Sequence, residues 1–91
     1  MLSIRLSHDA KKFIEQLPPK QAKQVALKVL NLGENPTPHD HVRMKGNPSG
    51  YLRVDIGEFR IIYRIENDDT VIISTIGKRN DDDVYKRFNR H

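Results

Sequence analysis

The sequence contains no cysteine, and this absence excludes disulfide bonds, thiolate metal sites and cysteine nucleophiles. A small domain that folds without disulfides suits a reducing compartment, so we expect a cytoplasmic protein. The first segment, MLSIRLSHDAKKF, also lacks a long apolar run, because charged and polar side chains interrupt it. We therefore expect neither a signal peptide nor a membrane-spanning segment.

A large excess of charge of one sign is also missing. The 91 residues carry 16 basic and 12 acidic side chains, and the net charge of +4 permits an anionic partner without requiring one. Leu, Ile, Val and Phe make up about a quarter of the chain, above the roughly 20% below which chains tend to stay disordered. We expect one folded domain over residues 1–91, which are too few for two independent cores.

Hydrophobic periodicity predicts a short strand followed by two helices. Apolar residues alternate over residues 1–6, as in a strand. Two stripes at helical spacing follow, the first made of Ala10, Phe13, Ile14 and Leu17 and the second of Ala22, Val25, Ala26, Val29 and Leu30. The pair Pro18-Pro19 separates them, so the helices should form a hairpin, and Gly33 should end the second helix.

The second half of the chain predicts three strands and a final helix. The strands fall between residues 42 and 77, and the helix spans 81–90, with acidic side chains in its first turn and basic ones near its end. The element order is β-α-α-β-β-β-α. We predict an α+β fold in which the helix hairpin packs on one face of a small, mainly antiparallel sheet.

Gly57 and Glu58 predict a tight turn between the first two of these strands. Glycine in the first central position is typical of a type II′ hairpin. The turn places Asp55 opposite Arg60 and Ile56 opposite Phe59, and it continues with the pairs 54–61 and 53–62. The hairpin then has one apolar and one polar face, and a slip of one residue would destroy this separation.

The third strand is predicted to return through a two-residue turn, Asp68-Asp69. In that register the side chains that face the helices are Ile72, Ser74 and Ile76. The opposite, open face places Thr75 and Gly77 beside Ile62 and Arg60.

The same register gathers four arginines on the open face of the sheet. Arg53, Arg60, Arg64 and Arg79 share this face with Asp55 as its only acid. The open face of a small sheet is often merely solvated. Four arginines without a lysine nevertheless favour a phosphate-binding surface, because the guanidinium fork matches phosphate geometry.

Three segments carry a joint motif: Arg43-Met44-Lys45-Gly46, the hairpin Tyr51–Tyr63, and Ile76-Gly77-Lys78-Arg79 followed by Asp83-Val84-Tyr85. The sequence Gly-acid-aromatic-Arg-x-x-Tyr, followed by Gly-Lys-Arg-x-x-x-x-Val-Tyr, resembles the RelE/ParE superfamily of bacterial toxins from toxin–antitoxin modules. The resemblance covers nearly the whole chain, and it implies a RelE-like fold.

The resemblance implies two different activities. In RelE-like members it implies ribosome-dependent cleavage of mRNA, with the 2′-hydroxyl of the RNA as nucleophile and without metal or cofactor. In ParE-like members it implies inhibition of DNA gyrase without hydrolysis. It also implies a cognate antitoxin, which we expect to be acidic and to wrap the toxin. We favour the endoribonuclease that inhibits translation, with a gyrase inhibitor or an attenuated toxin as the alternative.

The resemblance also assigns site residues by position. Arg60 and Arg79 match the arginines that contact the scissile phosphate in RelE-like toxins, and Tyr85 matches the tyrosine that stacks near the cleaved nucleotide. Arg53 matches one of two basic positions on the preceding strand, so we assign catalysis to these four residues. We assign RNA contacts to Arg43, Lys45, Arg64 and Lys78, although Lys78 should point toward the helices.

Asp55 occupies the second basic position and departs from the family pattern. It can be a structural partner of Arg60 across the strands, a pair worth at most ~1 kcal/mol where exposed. It can instead be the general base, although pairing with Arg60 favours its ionised form and weakens it as a base. A third interpretation is that the protein has drifted from RNA cleavage, and we favour the first.

Other side chains also have more than one interpretation. Tyr85 lies at helical spacing from Phe88, which is equally typical of a core residue. His39 and His41 lack acidic or thiol partners at useful spacing, so we expect a loop and no metal site. His91 is a group able to move protons near pH 7, or simply part of a frayed terminus.

Overall fold

The structure is a computed structural model that describes residues 1–46, 48–80 and 82–89. These residues form a five-stranded sheet and three helices. The elements in chain order are β1 (Ser3–Leu6), α1 (His8–Glu15), α2 (Pro19–Glu34), β2 (Val42–Arg43), β3 (Leu52–Ile56), β4 (Phe59–Glu66), β5 (Thr70–Lys78) and α3 (Asp83–Asn89). No helix in these ranges is long and apolar enough to cross a membrane.

The sheet has the strand order β1-β5-β4-β3-β2. Strand β1 runs parallel to β5, and the other neighbouring strands are antiparallel. The predicted α+β fold with a mainly antiparallel sheet is therefore confirmed. The predicted element order is wrong at one point, because the second half of the chain contains four strands and not three; the additional strand, β2, has two residues, too few for an alternating pattern to indicate it. The pairing of β1 with β5, which joins residues as distant in sequence as Ser3 and Thr70, had no signal in the local sequence pattern.

The helix hairpin α1–α2 covers one face of the sheet and forms the main core. Ala10, Val25 and Val29 on the helices are buried in the same cluster as Ile61 and Ile73 on the sheet. Ser7 caps α1, because its side chain accepts a hydrogen bond from the Ala10 backbone N–H at 3.0 Å. We refer to this side of the sheet as the helix-hairpin side.

The predicted end of α2 is wrong, because the C-cap is Asn35, two residues beyond the predicted Gly33. Gly33 lies inside the helix, which continues through Glu34, and the Asn35 backbone N–H still bonds to the Asn31 carbonyl. Gly33 is buried because β1 crosses close to it, and an added Cβ would come within 2.7 Å of Ile4 Cδ1. The glycine at this position therefore serves close packing of the helix on the strand rather than helix termination.

The β3–β4 hairpin has the predicted register. Asp55 pairs with Arg60 and Ile56 with Phe59, and the pairs 54–61 and 53–62 follow. Gly57 has φ 56°, in the left-handed region that the first central residue of a type II′ turn requires. Alternation of apolar and polar residues on both strands leaves no other register that buries one whole face.

The predicted turn between β4 and β5 is wrong. Glu66 pairs with Thr70, so the connection has three residues, and Asn67 and Asp68 both adopt positive φ, at 54° and 59°. Asn and Asp tolerate this left-handed conformation because their short side chains hydrogen-bond locally. The longer turn shifts the register of the first half of β5 by one residue.

This shift corrects the predicted orientation of β5. Val71 and Ile73 are fully buried in the core on the helix-hairpin side, whereas Ile72 and Ser74, predicted there, are half-buried. An irregularity in the pairing between Ile62 and Tyr63 then absorbs the extra residue. Beyond it the predicted pairs 62–75 and 60–77 are confirmed, and Ile76 faces the helices as predicted.

Helix α3 packs on the opposite face of the sheet, so the face predicted to be open is partly covered. Val84 and Phe88 form a second buried cluster with Ile62, and Met44, Tyr51 and Tyr85 pack against it. The helix spans Asp83–Asn89, within the predicted range 81–90. Asp81, Arg90 and His91 lie outside the described residues.

Candidate functional site

Side chains from three strands and one helix meet beside α3. Strand β3 carries Arg53 and Asp55, β4 carries Arg60, and Arg79 follows the end of β5. Helix α3 brings Tyr85 to the same place. We call these five residues the arginine face. The β3–β4 register explains why they converge, because it sets Asp55 directly opposite Arg60.

Asp55 and Arg60 form a two-point ion pair. Arg60 donates from Nε to Asp55 Oδ1 at 2.7 Å and from Nη2 to Asp55 Oδ2 at 3.1 Å. These hydrogen bonds lower the pKa of the Asp55 carboxyl below its ordinary value, and they raise the pKa of the Arg60 guanidinium. The carboxylate is thereby held in its ionised form, which makes it a poor general base near neutral pH.

Arg60 also links the sheet to α3. Its Nη1 donates to Tyr85 Oη at 2.5 Å, and its guanidinium carbon lies 5.7 Å from the centre of the Tyr85 ring. Arginine can only donate, so the Tyr85 oxygen is the acceptor. The hydroxyl proton of Tyr85 is therefore available to donate to another group.

Arg79 approaches the same carboxylate from the end of β5. Its Nη1 lies 4.0 Å from Asp55 Oδ2, and its side chain is 48% exposed. The Arg79 backbone N–H bonds to the Glu58 carbonyl, which ties the residue to the hairpin turn. One carboxylate oxygen of Asp55 thus lies between two guanidinium groups.

Arg64 belongs to the same face of β4 but has a different partner. Its Nη2 lies 2.9 Å from Glu66 Oε2, and this contact raises the pKa of the Arg64 guanidinium. The prediction that Asp55 is the only acid on this face is therefore wrong. Glu66, two residues further along the strand, was missed even though strand alternation places it beside Arg64.

A pocket of about 420 Å³ opens next to the arginine face. Its basic lining residues are Arg43, Lys45 and Arg53, and its apolar ones include Met44, Tyr85 and Phe88. Tyr51 supports the wall, with its ring 4.8 Å from that of Phe88 in an edge-to-face arrangement. Arg53 and Tyr85 thus connect the pocket with the site around Arg60.

Two residues that were predicted to contact RNA, Lys78 and Arg43, lie on the helix-hairpin side of the sheet in its strand register. Lys78 pairs with Phe59, which is buried on the helix-hairpin side, so Lys78 points away from the arginine face, as its predicted register requires. Arg43 pairs with Leu52, another core residue, although it lines the edge of the pocket.

His41 contacts the backbone of its own loop, which precedes β2. His41 Nδ1 lies 2.6 Å from the Pro38 carbonyl oxygen. Across the described parts of the chain, no three His, Cys, Asp or Glu side chains are grouped as a metal ion would need. His91 lies outside the described residues.

Arg87 on α3 was not singled out from the sequence, although it is among the most extensively bonded side chains near the site. It contacts Asp83 on its own helix, Asp9 on α1 and the Ile76 carbonyl of β5. Its spacing from Asp83 is the one local signal, since residues four apart share a helix face. The contact with Asp9, 78 residues away, cannot be read from sequence.

Comparison with known proteins shows which family the chain resembles. Residues 4–83 match the family model described as the ParE toxin of the type II toxin–antitoxin system parDE. No curated protein sequence matches the chain.

Solved structures of RelE and YoeB toxins share the fold. The RelBE2 toxin–antitoxin complex from Mycobacterium tuberculosis is similar, with 22% identity, 86% of this chain and 98% of that chain covered, and a TM-score of 0.75. A doubly substituted Escherichia coli RelE in the free state is similar with 17% identity. The match covers 98% of this chain and 95% of that chain and has a TM-score of 0.76. The Staphylococcus aureus YoeB–YefM toxin–antitoxin complex is similar with 22% identity, covers 80% of this chain and 91% of that chain, and has a TM-score of 0.63.

The family match spans most of the chain, and the RelE-like fold agrees with it. This chain belongs to the ParE toxin family of type II toxin–antitoxin systems, within the RelE/ParE superfamily.

Proposed function

We propose that this toxin is an endoribonuclease that cleaves mRNA on the ribosome and thereby inhibits translation. The observation that carries the proposal is the position of Asp55 Oδ2, which lies 3.1 Å from Arg60 Nη2 and 4.0 Å from Arg79 Nη1. An anionic oxygen at this point meets two guanidinium groups at once. A phosphate oxygen of RNA has the charge and the geometry to use the same donors.

The reaction is a transfer within the RNA backbone. The 2′-oxygen forms a bond to the adjacent phosphorus while the bond from phosphorus to the 5′-oxygen of the next nucleotide breaks. The 2′-hydroxyl loses one proton and the 5′-oxygen gains one, which leaves a cyclic phosphate and a 5′-hydroxyl. Arg60 and Arg79 stabilise the negative charge that grows on the phosphate oxygens.

Tyr85 is suited to act on the leaving oxygen. Because Arg60 Nη1 donates to Tyr85 Oη, the phenolic proton is not used in that contact and can be donated elsewhere. In the proposed reaction its acceptor is the 5′-oxygen. The pocket beside Tyr85, lined among others by Lys45, Arg53, Met44 and Phe88, accommodates a nucleotide next to the phosphate.

The arginine face has no strong general base. Arginine does not exchange a proton at pH 7, and the lowered pKa of Asp55 makes that carboxylate a weak one. We therefore expect slow cleavage of free RNA. On the ribosome, alignment of the 2′-hydroxyl with the phosphate raises the cleavage rate, since well-aligned reactants react orders of magnitude faster.

The proposal includes a partner and a location. The related M. tuberculosis RelBE2 and S. aureus YoeB–YefM structures are toxin–antitoxin complexes. We propose an acidic cognate antitoxin for this chain, acting in the cytoplasm, whose carboxylates reach Arg53, Arg60 and Arg79 in place of RNA phosphates.

Primer extension on programmed ribosomes tests the proposal. The purified toxin should produce stops within codons on ribosome-bound message and few on the same message alone. Arg60→Ala should remove these stops. Lys23→Ala, which deletes an exposed positive charge on α2, is the control and should keep them. Message left intact by the wild-type protein would refute the endoribonuclease.

One observation favours a second function. Asp55 stands at a position that is basic in RelE-like toxins, and it occupies the fork of Arg60. This pairing favours a non-enzymatic inhibitor of DNA gyrase, as implied for ParE-like toxins, or an attenuated toxin. A supercoiling assay separates the candidates, because gyrase inhibition with intact message would establish the inhibitor.

A further inference from the structure

Tyr85 is placed by a helix that cannot hold its position alone. The described part of helix α3, Asp83–Asn89, has seven residues, fewer than an isolated helix needs to be stable in water. Its packing against the sheet rests on two buried side chains, Val84 and Phe88. The contact between Tyr85 and Arg60 therefore depends on whatever fixes this short helix.

Arg87 provides that fixation through three hydrogen bonds in different directions. Nε donates to Asp83 Oδ2 at 2.9 Å, Nη1 donates to Asp9 Oδ2 at 2.7 Å, and Nη2 donates to the Ile76 carbonyl. The guanidinium carbon also lies 5.2 Å from the centre of the Phe13 ring. One side chain, only 16% exposed, thus joins α3 to α1 and to β5.

Gly77 allows α3 to pack closely against β5. A Cβ at this position would come within 2.7 Å of both Val84 Cβ and Arg87 Nη2, so α3 approaches the strand as closely as glycine allows. Gly77 is also the direct partner of Arg60 in the sheet. The close approach at Gly77 is therefore the same approach that brings α3 to Arg60.

We propose that Arg87 is a positioning residue that fixes α3 on the Ile76–Gly77 segment and on Asp9, so that Tyr85 meets Arg60. Loss of the three Arg87 hydrogen bonds lets α3 move on the sheet. A displacement of about 1 Å at a catalytic group can lower the reaction rate by ~10²-fold. The catalytic consequence rests on the proposed endoribonuclease function, whereas the placement of Tyr85 does not.

The experiment measures both parts on the full chain. Arg87→Met keeps an unbranched apolar stem and removes the guanidinium with its donors, and Lys86→Met, at an exposed position of the same helix, is the control. Amide hydrogen exchange of α3 and the NMR signals of the Tyr85 ring report the position of the helix. We expect Arg87→Met to lower α3 protection at least ~10-fold and to shift the Tyr85 ring signals, with Lys86→Met unchanged.

Kinetics on programmed ribosomes test the catalytic part. Arg87→Met should lower kcat by ~10–100-fold with KM within about threefold, because RNA still binds the arginines while Tyr85 is misplaced. Added to Tyr85→Phe, it should cause little further loss, since both remove the same contact. Arg87→Lys should restore part of the rate, because an ammonium group can replace one donor set but not all three.

Three outcomes would overturn the proposal: unchanged α3 protection and Tyr85 signals in Arg87→Met, a loss of rate that adds fully to that of Tyr85→Phe, or a loss confined to KM. If Arg87→Met does not fold, Asp9→Ala serves instead, because it removes the acceptor of the Arg87 Nη1 hydrogen bond and should give a smaller change in the same signals. If the wild-type toxin cuts no message, the endoribonuclease fails, and the exchange and NMR results still decide the role of Arg87.

Discussion

The carboxylate of Asp55 accepts hydrogen bonds from both Nε and Nη2 of Arg60, at 2.7 and 3.1 Å. This contact orients the guanidinium so that its remaining nitrogen, Nη1, reaches Tyr85. Asp55 also places a negative charge where the phosphate of RNA is proposed to bind. The residue therefore organises Arg60 and competes with the substrate at the same time.

Substitution of Asp55 separates these two effects. Asp55→Asn keeps the shape and one acceptor while it removes the charge, so the stability should fall by no more than ~1 kcal/mol, the range for a partly exposed pair. Cleavage should persist or rise, because the arginines lose their competing anion. Asp55→Lys should raise it further, since lysine binds phosphate and can take a proton if its pKa is lowered.

The base interpretation of Asp55 predicts the opposite result. If Asp55 takes the proton from the 2′-hydroxyl, both substitutions should reduce cleavage by ~10²-fold or more. Single-turnover rates on programmed ribosomes for the wild type and the two variants distinguish these cases. A collapse in both variants would contradict the structural role.

The lowered pKa of Asp55 predicts an acid-sensitive contribution to stability. A carboxyl whose pKa is lower in the folded state stabilises the fold above its ordinary value of 3.8 and loses this effect as pH falls through the folded pKa. The unfolding free energy of the wild type should therefore fall more steeply below about pH 4 than that of Asp55→Asn. Denaturant unfolding from pH 6 to pH 2 measures this, with Asp68→Asn in the exposed turn as control; equal slopes would refute it.

Tyr63 predicts a corresponding effect at alkaline pH. Its hydroxyl donates to the Pro36 carbonyl at 2.7 Å, and burial raises the pKa of the phenol from 10.0 to about 12. A raised pKa gives stability that is complete below pH 10 and is lost as pH rises toward 12. Tyr63→Phe should lose about 1 kcal/mol at neutral pH and show a flatter decline between pH 10 and 12. A Tyr63 phenol that titrates near pH 10 by NMR would contradict the assignment.

Gly77→Ala should displace α3 while the sheet remains folded. The added Cβ meets Val84 Cβ at 2.7 Å, and overpacking of this kind costs about 1–3 kcal/mol. Gly33→Ala is the matched comparison, because its Cβ meets the far end of the flexible Ile4 side chain and should cost less. Thermal unfolding and α3 amide exchange test this prediction, and equal effects of the two substitutions would contradict it.

The parts of the structure that local patterns determine were predictable. Alternation of apolar and polar residues around Gly57-Glu58 defined the β3–β4 register, and with it the pairing of Asp55 with Arg60. The turn before β5 was not predictable in length, because Asn67 and Asp68 suit two-residue and three-residue connections alike.

The strand residues of the candidate site, and Tyr85 on the final helix, were predictable, whereas the contacts that hold this helix on the sheet were not. Arg53, Arg60 and Arg79 follow from strand alternation and from the resemblance to the superfamily. The covering of Ile62 by α3 depends on contacts between residues distant in sequence. The bond between Arg87 and Asp9 has the same origin, so no periodicity could indicate it.

The most direct test of the account is single-turnover cleavage of message on programmed ribosomes by the wild type, Arg60→Ala and the control Lys23→Ala. Arg60 binds Asp55, contacts Tyr85 and is proposed to bind the scissile phosphate, so its loss should reduce cleavage by ~10²-fold or more while the far-UV spectrum stays unchanged. The wild type and Lys23→Ala should cut within codons at equal rates. A folded Arg60→Ala protein that cuts as fast as the wild type, or a wild type that leaves the message intact, would contradict the account.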